Sequence, residues 1–181
     1  MNIFVGCSSR DTDNRKYNEL AIAIGAFIIT GKHNYVFGGC EYGLMGKIYS
    51  IVSESPSSKV IVCMSDAYAH QLEGLKYDEL NLFSTMAQRK EDLIKKADVI
   101  LFIPGGIGTL DEMITAIETK RCGEHNKPII IANVNGYFDS ILQMIEKTFE
   151  EKFADSESRN LYQVAKTLDE TLAFLRAATD L

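Results

Sequence analysis

Two hydrophobic patterns alternate along the chain. Short, almost wholly apolar runs occur at Ile3–Gly6, Tyr35–Phe37, Lys59–Cys63, Asp98–Ile103 and Pro128–Ala132. Between them lie longer segments whose apolar residues recur three and four positions apart, the spacing of one helical face. Tyr17, Leu20, Ala21, Ile24, Phe27 and Ile28 predict a helix from about Asp13 to Thr30, ended by Gly31 in the usual helix-terminating role of glycine. Leu44, Ile48, Ile51 and Val52 mark a second helix, and Met86, Lys90, Leu93, Ile94 and Ala97 share the face of a third. A fourth runs from about Thr109 to Arg121. Phe138, Ile141, Leu142, Ile145 and Phe149 build the next, and Leu168, Leu172 and Leu175 lie on a closing helix. Leu80–Phe83 reads as a short strand and Leu161–Val164 as an edge strand, while Met64–Tyr77 lacks a clear period and reads as a long loop.

Strictly alternating strand and helix signals predict an α/β protein with a Rossmann-like, doubly wound, mostly parallel sheet and helices on both faces. The uninterrupted apolar strands fit a sheet covered on both sides. The length of 181 residues suits a single nucleotide-binding domain over 1–181, with no repeat or low-complexity linker. In such folds ligands bind beyond the carboxyl ends of the strands, near the point where strand order reverses. That rule selects three loops: Cys7–Arg10, Gly38–Gly43 and Pro104–Thr109.

Composition narrows the partners. A formal net charge of −6 disfavours general binding to nucleic-acid backbone, so an anionic ligand needs backbone amides and a few placed cations. The longest apolar runs, Ala21–Thr30 and Val99–Ile103, are too short to span a bilayer, and the first residues read as a strand and not as a signal peptide. Cys7, Cys40, Cys63 and Cys122 form no CxxC pair, and His33, His70 and His125 are scattered. The expectation is a cytoplasmic protein with reduced thiols, no metal site and no cofactor.

The richest chemistry lies in Pro104-Gly105-Gly106-Ile107-Gly108-Thr109-Leu110-Asp111-Glu112, where a buried strand runs through three glycines into a helix. Unpaired amides and a partial positive charge at a helix start suit phosphate, and the Thr109 hydroxyl can add a donor. A capping box is the competing explanation, since Thr109-x-x-Glu112 fits S/T-x-x-E. The run is not a Walker loop, and the first strand ends in Gly6-Cys7-Ser8-Ser9 instead of the dinucleotide fingerprint. A second glycine-bearing turn covers Phe37-Gly38-Gly39-Cys40-Glu41-Tyr42-Gly43-Leu44-Met45-Gly46, where close helix–strand packing is an equal explanation and Cys40 reads as a small filler. In Ser84-Thr85-Met86-Ala87-Gln88-Arg89-Lys90, Arg89 and Lys90 sit near a helix start, where cations oppose the macrodipole. Either an anionic partner or a solvated face accounts for them.

Together these segments resemble the LONELY GUY cytokinin-activating phosphoribohydrolases, a group often labelled lysine decarboxylases. The resemblance extends through Asn126-Lys127-Pro128 and Asn133-Val134-Asn135-Gly136-Tyr137-Phe138-Asp139, with two departures: Cys40 where the family usually has glycine, and Ala87 where it usually has histidine. It implies a Rossmann-like homodimer or larger assembly that hydrolyses AMP or an N6-modified AMP to free base and ribose 5-phosphate. By the same resemblance Arg89 and Glu112 form the catalytic pair and Gly105, Gly106, Gly108 and Thr109 hold phosphate. Lys90, Met86, Ser8, Gly39 and Gly43 are further substrate-binding candidates. Cleaving an N-glycosidic bond builds positive charge on C1′ and the ring oxygen, which a carboxylate such as Glu112 can stabilise while it orients water. A non-catalytic nucleotide or phosphorylated-cofactor carrier would keep the same glycine loops. The apolar residues Met113, Ile114 and Ile117 beside the site are candidates either for a partner subunit or for the chain's own sheet.

Overall fold

A computed structural model describes residues Met1–Asp180. Seven parallel strands form one sheet in the order β4-β3-β2-β1-β5-β6-β7: β1 (Asn2–Gly6), β2 (Asn34–Phe37), β3 (Val60–Ser65), β4 (Glu79–Phe83), β5 (Val99–Phe102), β6 (Ile129–Ala132) and β7 (Gln163–Ala165). The chain winds outward from β1 through β4, then crosses back to place β5 on the other side of β1. The switch point therefore lies between β1 and β5, which pair in register at Ile3 with Val99 and Phe4 with Ile100.

Alternate residues of each strand face opposite ways. Ile3 and Val5 of β1, with Val99 and Leu101 of β5, join one apolar layer; Phe4, with Ile100 and Phe102, joins the other. The first layer packs under α1 (Arg15–Thr30), α2 (Gly43–Val52) and α6 (Leu168–Thr179) through Leu20, Ile24, Leu44, Ile48 and Leu175. The second lies under α3 (Met86–Lys96), α4 (Ile107–Arg121) and α5 (Asp139–Glu150), where Leu93, Ile94, Met113 and Ala116 are buried. Removing a side chain such as Phe102 from this two-sided core would cost about 3–5 kcal/mol.

Local chemistry shifts several boundaries. α1 starts at Arg15 because the Asn14 side chain accepts the Lys16 and Tyr17 amides as an N-cap. Gly31 caps α1 in a right-handed conformation, and Lys32 is the left-handed residue (φ 53°). Glycine at 31 instead leaves room for the His33 ring, which a Cβ would strike. The segment read as an aperiodic loop is partly ordered. Met64 and Ser65 extend β3, and Asp66–Leu72 winds as a 3-10 helix, whose three-residue repeat does not give an α-helical pattern. A second such turn, Ser156–Leu161, delays the last edge strand to Gln163. Met113 is fully buried in the core and Ile117 packs against it, so of the three apolar residues considered for a partner only Ile114 is exposed. No helix among the described residues is long and apolar enough to cross a membrane.

Candidate active site

A cleft of about 690 Å³ opens at the carboxyl ends of the central strands, over the switch between β1 and β5. All three loops selected by the topology rule line it, through Ser8 and Arg10, Gly38 and Cys40, and Gly106–Thr109. Hydrogen bonds join these loops. The Ser8 amide donates to the Pro104 carbonyl at 3.1 Å, and the Met45 amide donates to the Ser8 carbonyl at 3.1 Å. Gly43 takes a left-handed backbone (φ 69°), and a Cβ there would press into the backbone of Ser8 and Arg10. Its absence lets the start of α2 close on the loop after β1.

The phosphate-loop candidate is the N-terminus of α4. The helix begins at Ile107, with Gly106 as N-cap and no side-chain cap bond. Its first ladder bond runs from the Leu110 amide to the Gly106 carbonyl, so the amides of Ile107, Gly108 and Thr109 precede the first intrahelical donor. This start corrects the capping-box reading: Thr109 is the third residue inside the helix, and the Glu112 carboxylate turns to Arg89. A Cβ built at Gly106 or Gly108 would meet nothing, and neither has a positive φ, so the chain's own packing requires glycine at neither position. Gly105 differs, since a Cβ there would collide with the Thr109 hydroxyl. The Gly105 carbonyl also accepts the Tyr137 hydroxyl at 2.5 Å, tying the loop to the turn after β6.

Beside this terminus lies a buried ion pair. Arg89, in the second turn of α3, donates from Nη1 to Glu112 Oε1 at 2.8 Å and from Nε to the Cys63 carbonyl at 3.0 Å. Gly38 makes room for the guanidinium; a Cβ there would strike Nη2. Both side chains are about nine-tenths buried and both line the cleft. Burial pushes the Glu112 carboxyl above the usual range, against the opposing pull of the Arg89 charge. Lys90, one residue on, donates to Asp111 at 2.7 Å and to Thr115 at 3.1 Å. The anionic partner suggested by these two basic residues is thus a pair of adjacent carboxylates on α4.

The cleft gathers Arg89, Glu112, Gly106, Gly108, Thr109, Met86 and Ser8. Lys90, Gly39, Gly43 and Gly105 do not line it: Lys90 braces α3 against α4, and the glycines shape the loops behind the wall. Sequence reasoning passed over Tyr68 and Gln71 of the 3-10 segment, Met45 and Met64, and singled out no role for Arg10. The 3-10 residues carried no periodic signal, whereas Arg10 sat at the end of a loop the topology rule had chosen. Cys7 is buried with its thiol pushed up by burial, and Cys40 is buried at the wall, as suits filler residues. All four cysteines are free. No cluster of three or more His, Cys, Asp or Glu among the described residues could hold a metal ion.

The fold is shared with known proteins. A sequence profile described as "Possible lysine decarboxylase" matches residues 45–175. One cytokinin riboside 5′-monophosphate phosphoribohydrolase of Arabidopsis thaliana is 31% identical over 93% of this chain and 79% of its own length. A second from the same plant is 30% identical over 96% of this chain and 81% of its own length. Among solved structures, a molybdenum cofactor binding protein from Rippkaea orientalis superposes with a TM-score of 0.71 at 17% identity, covering 98% of this chain and 96% of that one. The molybdenum cofactor carrier protein from Chlamydomonas reinhardtii gives 0.70 at 17% identity, covering 99% and 98%. At that identity the structural likeness shows the doubly wound fold, whereas the profile and the sequence relatives reach further. On their evidence this chain belongs to the LONELY GUY family, the group whose profile carries the lysine decarboxylase description.

Proposed function

We propose that the chain is a nucleotide phosphoribohydrolase acting on AMP or an N6-modified AMP, with release of the free base and ribose 5-phosphate. The observation that carries this reading is the buried Arg89–Glu112 pair in the same cleft as the unpaired amides of α4. A 5′-phosphate on the Gly106–Thr109 amides would anchor the sugar near Glu112, one helical turn on from Thr109. Cleavage breaks the bond between C1′ and the base nitrogen. Water supplies the hydroxyl that ends on C1′ and, in net, the proton that ends on the base. Glu112 stabilises the oxocarbenium charge and orients that water, while Arg89, held on the Cys63 carbonyl, fixes the carboxylate. Gly106 and Gly108 support the phosphate role, because a ligand's close approach is a reason for glycine where the chain's packing offers none. The Arabidopsis relatives are phosphoribohydrolases of cytokinin riboside 5′-monophosphates, the same reaction class.

The setting proposed is a single-domain cytoplasmic enzyme with no cofactor, metal, membrane or nucleic-acid partner, working as a homodimer or larger homo-oligomer. Exposed Ile107, Ile114 and Met86 on α4 and α3 are apolar surface available to a second copy. Light scattering at micromolar concentration tests the assembly; a monomer would refute it. The activity is tested by incubating the protein with a panel of nucleoside monophosphates and following free base and ribose 5-phosphate. A carrier with the same loops would bind nucleotide and release no base, and that outcome would overturn the enzymatic reading.

A further inference from the structure

The site's charges leave one cation unassigned. A phosphomonoester brings a charge of about −1.5 to −2 at neutral pH, and a helix terminus offers only about half a positive charge. Arg89 lines the cleft, but its Nε and Nη1 are held by Cys63 and Glu112, and its charge is balanced by that carboxylate. Lys90 is held by Asp111 and Thr115 outside the cleft. Arg10, in the loop after β1, also lines the cleft; it is exposed, and among the described residues its guanidinium makes no hydrogen bond or ion pair.

Its backbone, by contrast, is fixed. The Ser8 hydroxyl accepts the Arg10 amide at 3.0 Å and donates to the Arg10 carbonyl at 2.8 Å. The neighbouring Asp11 carboxylate accepts the Gly43 amide at 3.3 Å. The Ser8 amide and carbonyl are bonded to Pro104 and Met45, and Gly43 lacks the Cβ that would push this loop away. The loop that carries this unpartnered guanidinium is bonded directly to the phosphate loop and lines the same cleft, which places the charge where a ligand anion can meet it. Resting on the proposed function, we infer that Arg10 binds the 5′-phosphate of the substrate and supplies the positive charge that the α4 amides lack. The role assigned to Ser8 follows: its hydroxyl positions Arg10 through the backbone.

Full-length Arg10→Ala and Arg10→Lys variants test this, through steady-state hydrolysis of AMP and calorimetric titration with ribose 5-phosphate and with adenosine. Loss of one charge-assisted contact predicts a KM for AMP and a Kd for ribose 5-phosphate raised about ten- to hundredfold in Arg10→Ala. The same variant should show kcat within about threefold and adenosine binding unaltered, and Arg10→Lys should recover part of the loss. Unchanged KM and Kd in Arg10→Ala would overturn the inference and leave the hydrolase reading standing. So would equal weakening toward adenosine, which signals a deformed cleft. If the wild type released no base yet bound ribose 5-phosphate through Arg10, the hydrolase reading would fall and the role of Arg10 would stand.

Discussion

Glu112 sits 2.8 Å from the Arg89 guanidinium and still titrates above the ordinary carboxylate range, because the water lost on burial outweighs the attraction of the paired charge. The proton therefore leaves Glu112 later, as pH rises, than it would leave an exposed glutamate. If the ionised form stabilises the transition state, activity requires deprotonation and is lost as pH falls through this raised value. The acid limb of log(kcat/KM) for AMP hydrolysis, which reports the free enzyme, should bend at an apparent pKa above the unperturbed value of about 4.3. A pH–rate profile flat down to pH 4 would remove Glu112 from the role. The same sign applies to stability: the folded state holds this proton more tightly than the unfolded chain, so the contribution of Glu112 to stability declines as pH rises from the ordinary carboxylate range through the raised value.

Glu112→Gln keeps an oxygen that can accept from Arg89 and removes the charge. Turnover should fall by about 10²–10³ while AMP still binds, read by base release and by calorimetry. Wild-type release of adenine by this variant would defeat the mechanism and spare the phosphate loop. Glu112→Ala differs, because it leaves the buried Arg89 Nη1 with neither a counter-charge nor an acceptor oxygen. It should lose about 3–5 kcal/mol in denaturant unfolding.

Gly108 separates ligand binding from folding. Alanine there would place its Cβ in open space, within the first turn of α4. Gly108→Ala should leave the melting temperature unchanged or raise it, the gain being no more than about 1 kcal/mol. Nucleotide affinity should fall at least tenfold, because the methyl would stand where the phosphate is proposed to lie. A fully active, tight-binding Gly108→Ala protein would put the phosphate elsewhere.

Tyr137 reaches the phosphate loop from the turn after the neighbouring strand β6, donating to the Gly105 carbonyl and stacking edge-on against Tyr17 and Phe138. Tyr137→Phe keeps the ring contacts and deletes the donor. The expected loss is about 1 kcal/mol or less in stability, with a rise of a fewfold in the KM for AMP and little change in the KM for adenosine if that is cleaved at all. Equal changes for both substrates would assign Tyr137 to general packing.

The sheet was legible because its inner strands β3, β2, β1, β5 and β6 are buried on both faces and its helices keep their period. Ends were harder to read. Asn14 and Gly106 set helix starts through backbone geometry that spacing alone does not show, and the shift at Gly106 turned a plausible capping box into an interior pair of residues. At the site, Arg89 and Glu112 were named from the family resemblance, while the reason for Arg89 lay in contacts far apart in sequence: the Cys63 carbonyl and the space left by Gly38. Lys90 looked like a ligand residue because its partner, Asp111, is twenty-one residues away. Tyr68 and Gln71 escaped notice because a 3-10 helix leaves no α-helical hydrophobic stripe.

The two windings of the sheet furnish the cleft with different parts. The glycine loop and Glu112 come from the crossover after β5, whereas Met64 comes from the end of β3 and Tyr68 and Gln71 from the 3-10 helix that follows it. Arg89, from α3, joins β3 to the carboxylate through its bonds to the Cys63 carbonyl and to Glu112. The 3-10 segment can therefore change its side chains without disturbing the Arg89–Glu112 pair or the glycine loop, so the shape of one wall of the cleft is separable from the rest of its lining.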